Sequence, residues 1–293
     1  MSEISTNQPF GTPTWIDLGV ADLDRAKAFY RALFGWEYLQ VPTAHGPLTL
    51  CLLRGRRVAA LRPRSAADVE GESWWHPYLA TDDCDGAVRR ITDSGGNLLA
   101  PPSDLADLAR TAVVADPVGS RFSLWQGHAL AGCELVNEPC TLVRNDLASP
   151  APEPARRFYA DVFGFTLDGN DAVPDLDFTF LRRPDGHEIG GVFGAPDAPS
   201  SRWQTVFEVA DTDELVALAR GAGGTAHAPE DAPYGRMAAI TDPFGTAFSV
   251  ITRPPAPSAA ERRTGNDTGA SSQQQGHPVS NGGTRTVTGG SGR

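Results

Sequence analysis

The 293-residue chain contains a single lysine, Lys27, and no run of basic residues; acids outnumber bases to a formal charge of −11. Neutralising a phosphate backbone or an anionic bilayer takes clustered Lys and Arg. Nucleic acid and membrane surfaces are therefore excluded as partners, and a neutral or cationic ligand is expected. Cysteine is also scarce. Cys51, Cys84, Cys133 and Cys140 include no Cys-x-x-Cys pair and no histidine at zinc spacing, which argues against a disulfide frame or a structural zinc. No apolar run is long enough to span a bilayer, and the opening MSEISTNQPF has neither a basic region nor an apolar stretch, so a cytoplasmic protein is expected. A phosphate-cradling glycine loop and any Ser-His-Asp or Cys-His arrangement are missing too. What remains, 40% hydrophobic and 21% charged, is the composition of a globular protein with one or two ordinary cores.

The strongest positive signal is repetition. AFYRALFGW at Ala28–Trp36 returns as RFYADVFGF at Arg157–Phe165, and DPVGSRFSLW at Asp116–Trp125 returns as DPFGTAFSVI at Asp242–Ile251. The offsets, 129 and 126 positions, mark one unit of about 125 residues used twice. In the first copy Ala26, Phe29, Tyr30, Leu33 and Phe34 fall at helical spacing between a capping Asp22 and a terminating Gly35. The second copy repeats this over Pro154–Gly164 with Ala155, Phe158, Tyr159, Val162 and Phe163, and puts a proline in the first turn. Weaker helices are predicted at Asp85–Ser94 and at Asp211–Arg220, where Asp211 and Glu214 form a capping box. Gly95-Gly96 and Gly223-Gly224 close these two. Each helix follows an alternating strand and precedes short strands broken by Gly, Pro and Asp. The Asp-Pro-x-Gly pieces read as type I turns between hairpin strands. Four strand–helix–strands modules result, at about 13–62, 74–126, 140–194 and 202–252.

A Phe-Tyr helix ending in Phe-Gly-aromatic, followed by a closing Asp-Pro-x-Gly strand, resembles the vicinal oxygen chelate superfamily of glyoxalases, extradiol dioxygenases and bleomycin-resistance proteins. Within it the chain is similar to tandem-repeat actinobacterial glyoxalase-like proteins, some of which sit in aromatic polyketide antibiotic clusters. The resemblance implies an α+β fold of four βαβββ modules in two tandem domains with curved, mostly antiparallel sheets. The expected organisation is an N-terminal extension at 1–12, domains at 13–127 and 140–252 joined by a linker at 128–139, and a tail at 253–293. That tail is rich in Pro, Gly, Ser, Thr and Gln and has too little to bury to repay the entropy of ordering, so disorder is expected there.

Enzymes of the family hold a divalent metal with His, Gln or Glu on the first and last strands of paired modules. Strand alternation sends Ile16, Leu18 and Val20 toward the helix and Trp15 and Asp17 toward the cavity. By the same rule His76, Tyr78, Ser123 and Trp125 face it in the first half, and Arg144, Asp146, Gln204, Val206, Glu208 and Ser249 in the second. Val143, Asn145 and Leu147 take the core side. The positions matching the family's metal ligands are Trp15, Ala60, His76 and Ser123, then Arg144, Gly191, Gln204 and Ser249. Only His76 and Gln204 can coordinate, short of the three protein ligands a catalytic metal uses, so no metal and no other cofactor is expected.

An aromatic, sparsely polar pocket is expected instead, with Trp15, Trp75, Tyr78, Trp125 and Trp203 offering faces to a flat polycyclic ligand. Asp17, Asp146 and Glu208 are candidates for pairing a cationic amino sugar, or for bonds to neighbouring strands or to Arg144. His76 is the one candidate acid–base residue, since an unperturbed histidine titrates near neutrality; the plainer reading is a pocket wall hydrogen-bonded to Tyr78 or a backbone carbonyl. The histidines at 45, 128, 187, 227 and 277 show no ligand spacing. Three functions stay open: a metal-independent binder of a hydrophobic aromatic natural product acting in antibiotic biosynthesis or self-resistance, an enzyme using His76 or an unrecognised metal, and an interaction module. A biosynthetic enzyme partner and a monomeric or homodimeric state are compatible with the first.

Overall fold

The computed structural model describes residues 2–43, 46–64, 73–170 and 173–254. His45, His277 and all but the first two residues of the expected tail lie outside them. In the first half the chain forms β1 (Ser2–Glu3), β2 (Pro13–Val20), α1 (Leu23–Phe34), β3 (Glu37–Thr43), β4 (Gly46–Leu53), β5 (Arg56–Pro63), β6 (His76–Ala80), α2 (Cys84–Asp93), β7 (Asn97–Leu105), β8 (Ala109–Ala115) and β9 (Arg121–Gly127). After β10 (Leu135–Val136) the second half follows as β11 (Leu142–Ser149), α3 (Pro152–Phe163), β12 (Thr166–Gly169), β13 (Phe178–Arg182), β14 (Glu188–Gly194), β15 (Arg202–Glu208), α4 (Thr212–Gly221), β16 (Thr225–Ala226), β17 (Glu230–Ala232), β18 (Gly235–Thr241) and β19 (Ala247–Thr252).

Local chemistry sets the helices. Asp22 accepts a hydrogen bond from the Arg25 amide at the start of α1, and Gly35 ends it with φ 67°, a left-handed turn that glycine takes without strain. Gly164 repeats this after α3 with φ 70°. Asp211 accepts from the Glu214 amide at the start of α4. The helix α3 begins two residues earlier than its apolar spacing predicts, because Pro152 and Pro154 both fit the first turn, where no amide donor is needed.

In each module the last strand returns parallel to the first: β5 beside β2, β9 beside β6, β14 beside β11 and β19 beside β15. Paired modules then join antiparallel through their first strands, β2 with β6 and β11 with β15. Two mixed sheets result, ordered β3-β4-β5-β2-β6-β9-β8-β7 and β12-β13-β14-β11-β15-β19-β18-β16, with β17 paired to β18. The modules of one half therefore close on each other within the chain.

The helix-side cores do not respect the halves. One core joins α1, β2 and β5 of the first module to β15, α4, β18 and β19 of the fourth, and a second joins the second module to the third. Reciprocal polar contacts cross the same boundary. The Tyr30 hydroxyl on α1 donates to Asp242 Oδ2 at 3.0 Å, and the Tyr159 hydroxyl on α3 donates to Asp116 Oδ2 at 3.0 Å. Each of these aspartates uses its other oxygen to bind two amides of its own Asp-Pro-x-Gly turn. Trp36, the aromatic after Phe-Gly, crosses as well: it is fully buried and donates from Nε1 to the Cys140 carbonyl at 3.0 Å. All four cysteines are free.

A third core lies on the opposite, concave face of the first sheet. Trp15 and Trp125 stack there at 5.3 Å with Leu48, Leu50 and Ala60, and the segment after β9 folds in Leu130 and Cys133. Trp125 Nε1 donates to the Leu130 carbonyl at 3.0 Å.

Candidate ligand-binding site

Beside the Trp15–Trp125 stack the first sheet leaves a cavity of about 380 Å³. Register builds its floor. Asp17 on β2 stands opposite Ala60 on β5 and His76 on β6, and Tyr78 stands opposite Ser123 on β9. Asp17, buried to 4% exposure, accepts from the Tyr78 hydroxyl at 2.5 Å and has Arg62 Nε 3.4 Å from its other oxygen. Burial, then the neighbouring Asp17 carboxylate, pushes the Tyr78 phenol well above its usual range, so Tyr78 keeps its proton and serves Asp17 as a donor. His76 Nε2 lies 2.8 Å from Ser123 Oγ. Trp74, Pro47, Leu48 and Val113 line the cavity as well.

Several expected site residues lie elsewhere. Trp75 is buried on the helix side, edge-on to Tyr30 at 5.2 Å. Trp203 is buried against α3, where its Nε1 donates to the Tyr159 hydroxyl at 3.1 Å. Both belong to the contacts around the cross-half tyrosines and neither lines this cavity, though Trp203 borders a small recess beside it. Trp15 and Trp125 do occupy the concave side, but as its packed filling. The expected metal-ligand rows also shift by two residues along the first strand, on the same face: Ala60 and His76 flank Asp17 and not Trp15, and Gly191 and Gln204 flank Asp146 and not Arg144.

In the second sheet Asp146 accepts from Arg144 at 2.7 Å, and Arg144 also reaches Glu188 at 3.1 Å. Glu208 is paired with Arg253. Gln204 is exposed and Ser249 half-buried opposite Val206. Leu142, not Val143, takes the core position at the start of β11, because the pairing shifts register between Leu142 and Arg144. The cavity here, about 500 Å³, is lined by Val143, Arg144, Glu188 and Tyr234 among others.

The residues the sequence reading missed were available to the same alternation. If His76 faces the cavity, Trp74 does and Trp75 does not; if Gln204 faces out of the core, Trp203 faces into it. Arg62 and Arg121, two positions from Ala60 and Ser123 on their strands, reach the cavity by that rule as well.

Residues 12–124 match the Glyoxalase/Bleomycin resistance protein/Dioxygenase superfamily, and residues 145–251 match the Glyoxalase-like domain. The chain belongs to this superfamily. A relative from Mycobacterium tuberculosis, "Putative glyoxylase CFP32", is 37% identical over 253 residues, covering 84% of this chain and 96% of that protein. "Anthracycline biosynthesis protein DnrV" of Streptomyces peucetius is 33% identical over 262 residues, covering 82% and 93%. Among solved structures the Mn(II)-bound glyoxalase from Novosphingobium aromaticivorans superposes with a TM-score of 0.60 at 19% identity, over 83% of this chain and 82% of its own.

Metal-dependent relatives of this superfamily pose a direct test of fit. In the first sheet the candidate donors are Asp17 and His76, one held by Tyr78 and approached by a guanidinium, the other bonded to Ser123. In the second, Asp146 is bound by Arg144 and its neighbours in the row are Gly191 and Gln204. Among the described residues no three His, Cys, Asp or Glu side chains gather, and neither row fits a centre built on three protein ligands.

Proposed function

We propose that this member of the superfamily is a metal-independent binder of a flat aromatic small molecule, held in the first-sheet cavity and serving biosynthesis or self-protection in an aromatic polyketide pathway. The observation that carries this reading is the floor of that cavity. Its potential metal donors are spent on internal hydrogen bonds while Trp74, Tyr78 and Pro47 line it with flat apolar surface, a combination suited to an apolar ligand oriented by a few polar groups. The Streptomyces relatives named for anthracycline biosynthesis support the choice of ligand class. Tryptophan emission, titrated with an anthracycline aglycone, is expected to quench or shift at roughly tens of micromolar ligand or below, and Trp74→Ala to weaken the effect. An unchanged spectrum overturns the proposal. Elemental analysis after chelator treatment is the second arm, and one tightly held Mn, Fe, Ni or Zn per chain overturns metal independence.

The His76–Ser123 hydrogen bond at 2.8 Å favours one second reading, a metal-free lyase or isomerase in which His76 moves a proton on the bound ligand. Loss of turnover in His76→Ala with ligand binding retained would select it.

A further inference from the structure

The cavity's charges run against those of the chain. Among the described residues, the guanidiniums of Arg62, Arg64 and Arg121 and one carboxylate, that of Asp17, line it, in a protein of formal charge −11. Asp17 is already bonded to Tyr78 and close to Arg62. The other acids expected to receive a cationic sugar are likewise taken, Asp146 by Arg144 and Glu208 by Arg253. A cationic ligand would find no uncommitted carboxylate among them.

Arg121 stands at a junction. It lies on β9 two positions before Ser123 and so shares that residue's concave row, and it lines both the main cavity and an adjoining recess of about 210 Å³. The recess is walled by Ser120, Ser200, Ser201, Arg202 and Trp203 and, among the described residues, contains no acid. Trp74 borders both spaces, with the Arg202 guanidinium 5.4 Å over its ring. A guanidinium between an aromatic cavity and a hydroxyl-lined recess is placed to take a planar anion by charge-assisted hydrogen bonds while the ring system lies in the cavity.

From this geometry we infer that the ligand is an aromatic acid, carrying a carboxylate or an ionised phenol that docks on Arg121. The inference rests on the aromatic-ligand reading above and reverses the neutral or cationic ligand that bulk charge suggests. Local potential in a low-dielectric cleft, and not net charge, decides what enters it.

The test compares three anthraquinones with the same ring system: the 2-carboxylate, the neutral 2-carboxamide and the cationic 2-aminomethyl compound, titrated into the full-length protein by tryptophan emission at neutral pH. The carboxylate is expected to bind about ten-fold more tightly than the carboxamide, with the amine weakest and the carboxylate's advantage shrinking as salt is raised. Arg121→Gln, its fold checked by circular dichroism, is expected to narrow the carboxylate-to-carboxamide ratio to within about three-fold. Equal binding of all three compounds, a preference for the amine, or an undiminished ratio in Arg121→Gln overturns the inference and leaves the aromatic-ligand reading standing. Failure of all three to bind overturns that reading as well. The wild-type series decides the charge preference even if the variant does not fold.

Discussion

The two cups of this chain keep Asp17 and Ser123 as Asp146 and Ser249 but differ at most other positions that face their interiors. In the first, Trp15 and Trp125 stack with Leu48, Leu50 and the returning Leu130, so one end is packed solid and the other keeps a cavity over Asp17, Tyr78, His76 and Ser123. In the second, Arg144 stands where the first has Trp15 and Ile251 where it has Trp125, and the floor is a chain of ion pairs through Asp146, Glu188 and Arg182. The helix sides show the reverse: Tyr30 and Asp242 repeat the contact of Tyr159 and Asp116 with the same atoms and the same 3.0 Å separation. Duplication has kept what holds the halves together and released what each half can hold.

The sharpest way to break this contrast is to truncate the two equivalent cup positions. Trp15→Ala removes a fully buried ring from the packed end of the first cup and is expected to cost about 3–5 kcal/mol in urea unfolding. Arg144→Ala, at the same place in the second, removes partly exposed ion pairs and is expected to cost only about 1 kcal/mol, a difference that equal losses would erase.

On the helix side the next largest effect is a pH dependence. Burial pushes the Asp116 carboxyl up to about 6, against its hydrogen bonds from Ser120, Tyr159 and Val118, which pull the other way. Folding therefore takes up a proton between the unfolded value near 3.8 and about 6, so this group's contribution to stability is full below about pH 4 and falls away as pH rises through about 6. The decline is on the order of 2–3 kcal/mol, and Asp116→Asn should flatten it between pH 4 and 7 in urea titrations; an unchanged slope would remove Asp116 as its source. Smaller still, Tyr30→Phe and Tyr159→Phe should each cost about 1–2 kcal/mol and by nearly equal amounts, since the contacts are equivalent. A marked inequality would show that the helix sides have diverged too.

Much of the helix side was legible in the sequence, because apolar spacing, caps and the repeat are all local signals. Phe29, Tyr30, Leu33 and Phe34 declare their buried stripe within a few residues. Their partners do not: Tyr30 meets Asp242 across 212 positions, and nothing in either segment names the other. In the cup, alternation was enough to place Asp17, His76 and Ser123, whose strands run regularly. It failed where the pull of chemistry overrode it, as when Trp75 and Trp203 were expected in the cavity for being aromatic although His76 and Gln204 beside them point the other way. Residue type suggests a role, but on a strand parity decides the side. The shift at Leu142 and Arg144 lay beyond either signal, since a β-bulge depends on the partner strand.

The reciprocal tyrosine contacts have the form of an isologous interface, residue i of one copy meeting j of the other and j meeting i, as across the twofold of a homodimer. Here both copies are written in one chain. A symmetric homodimer obliges its two sites to be identical, so a substitution that fits one ligand is imposed on both. Joined copies are free of that obligation: the second cup can become a bolted support while the first acquires arginines at its mouth, and neither change is copied to the other.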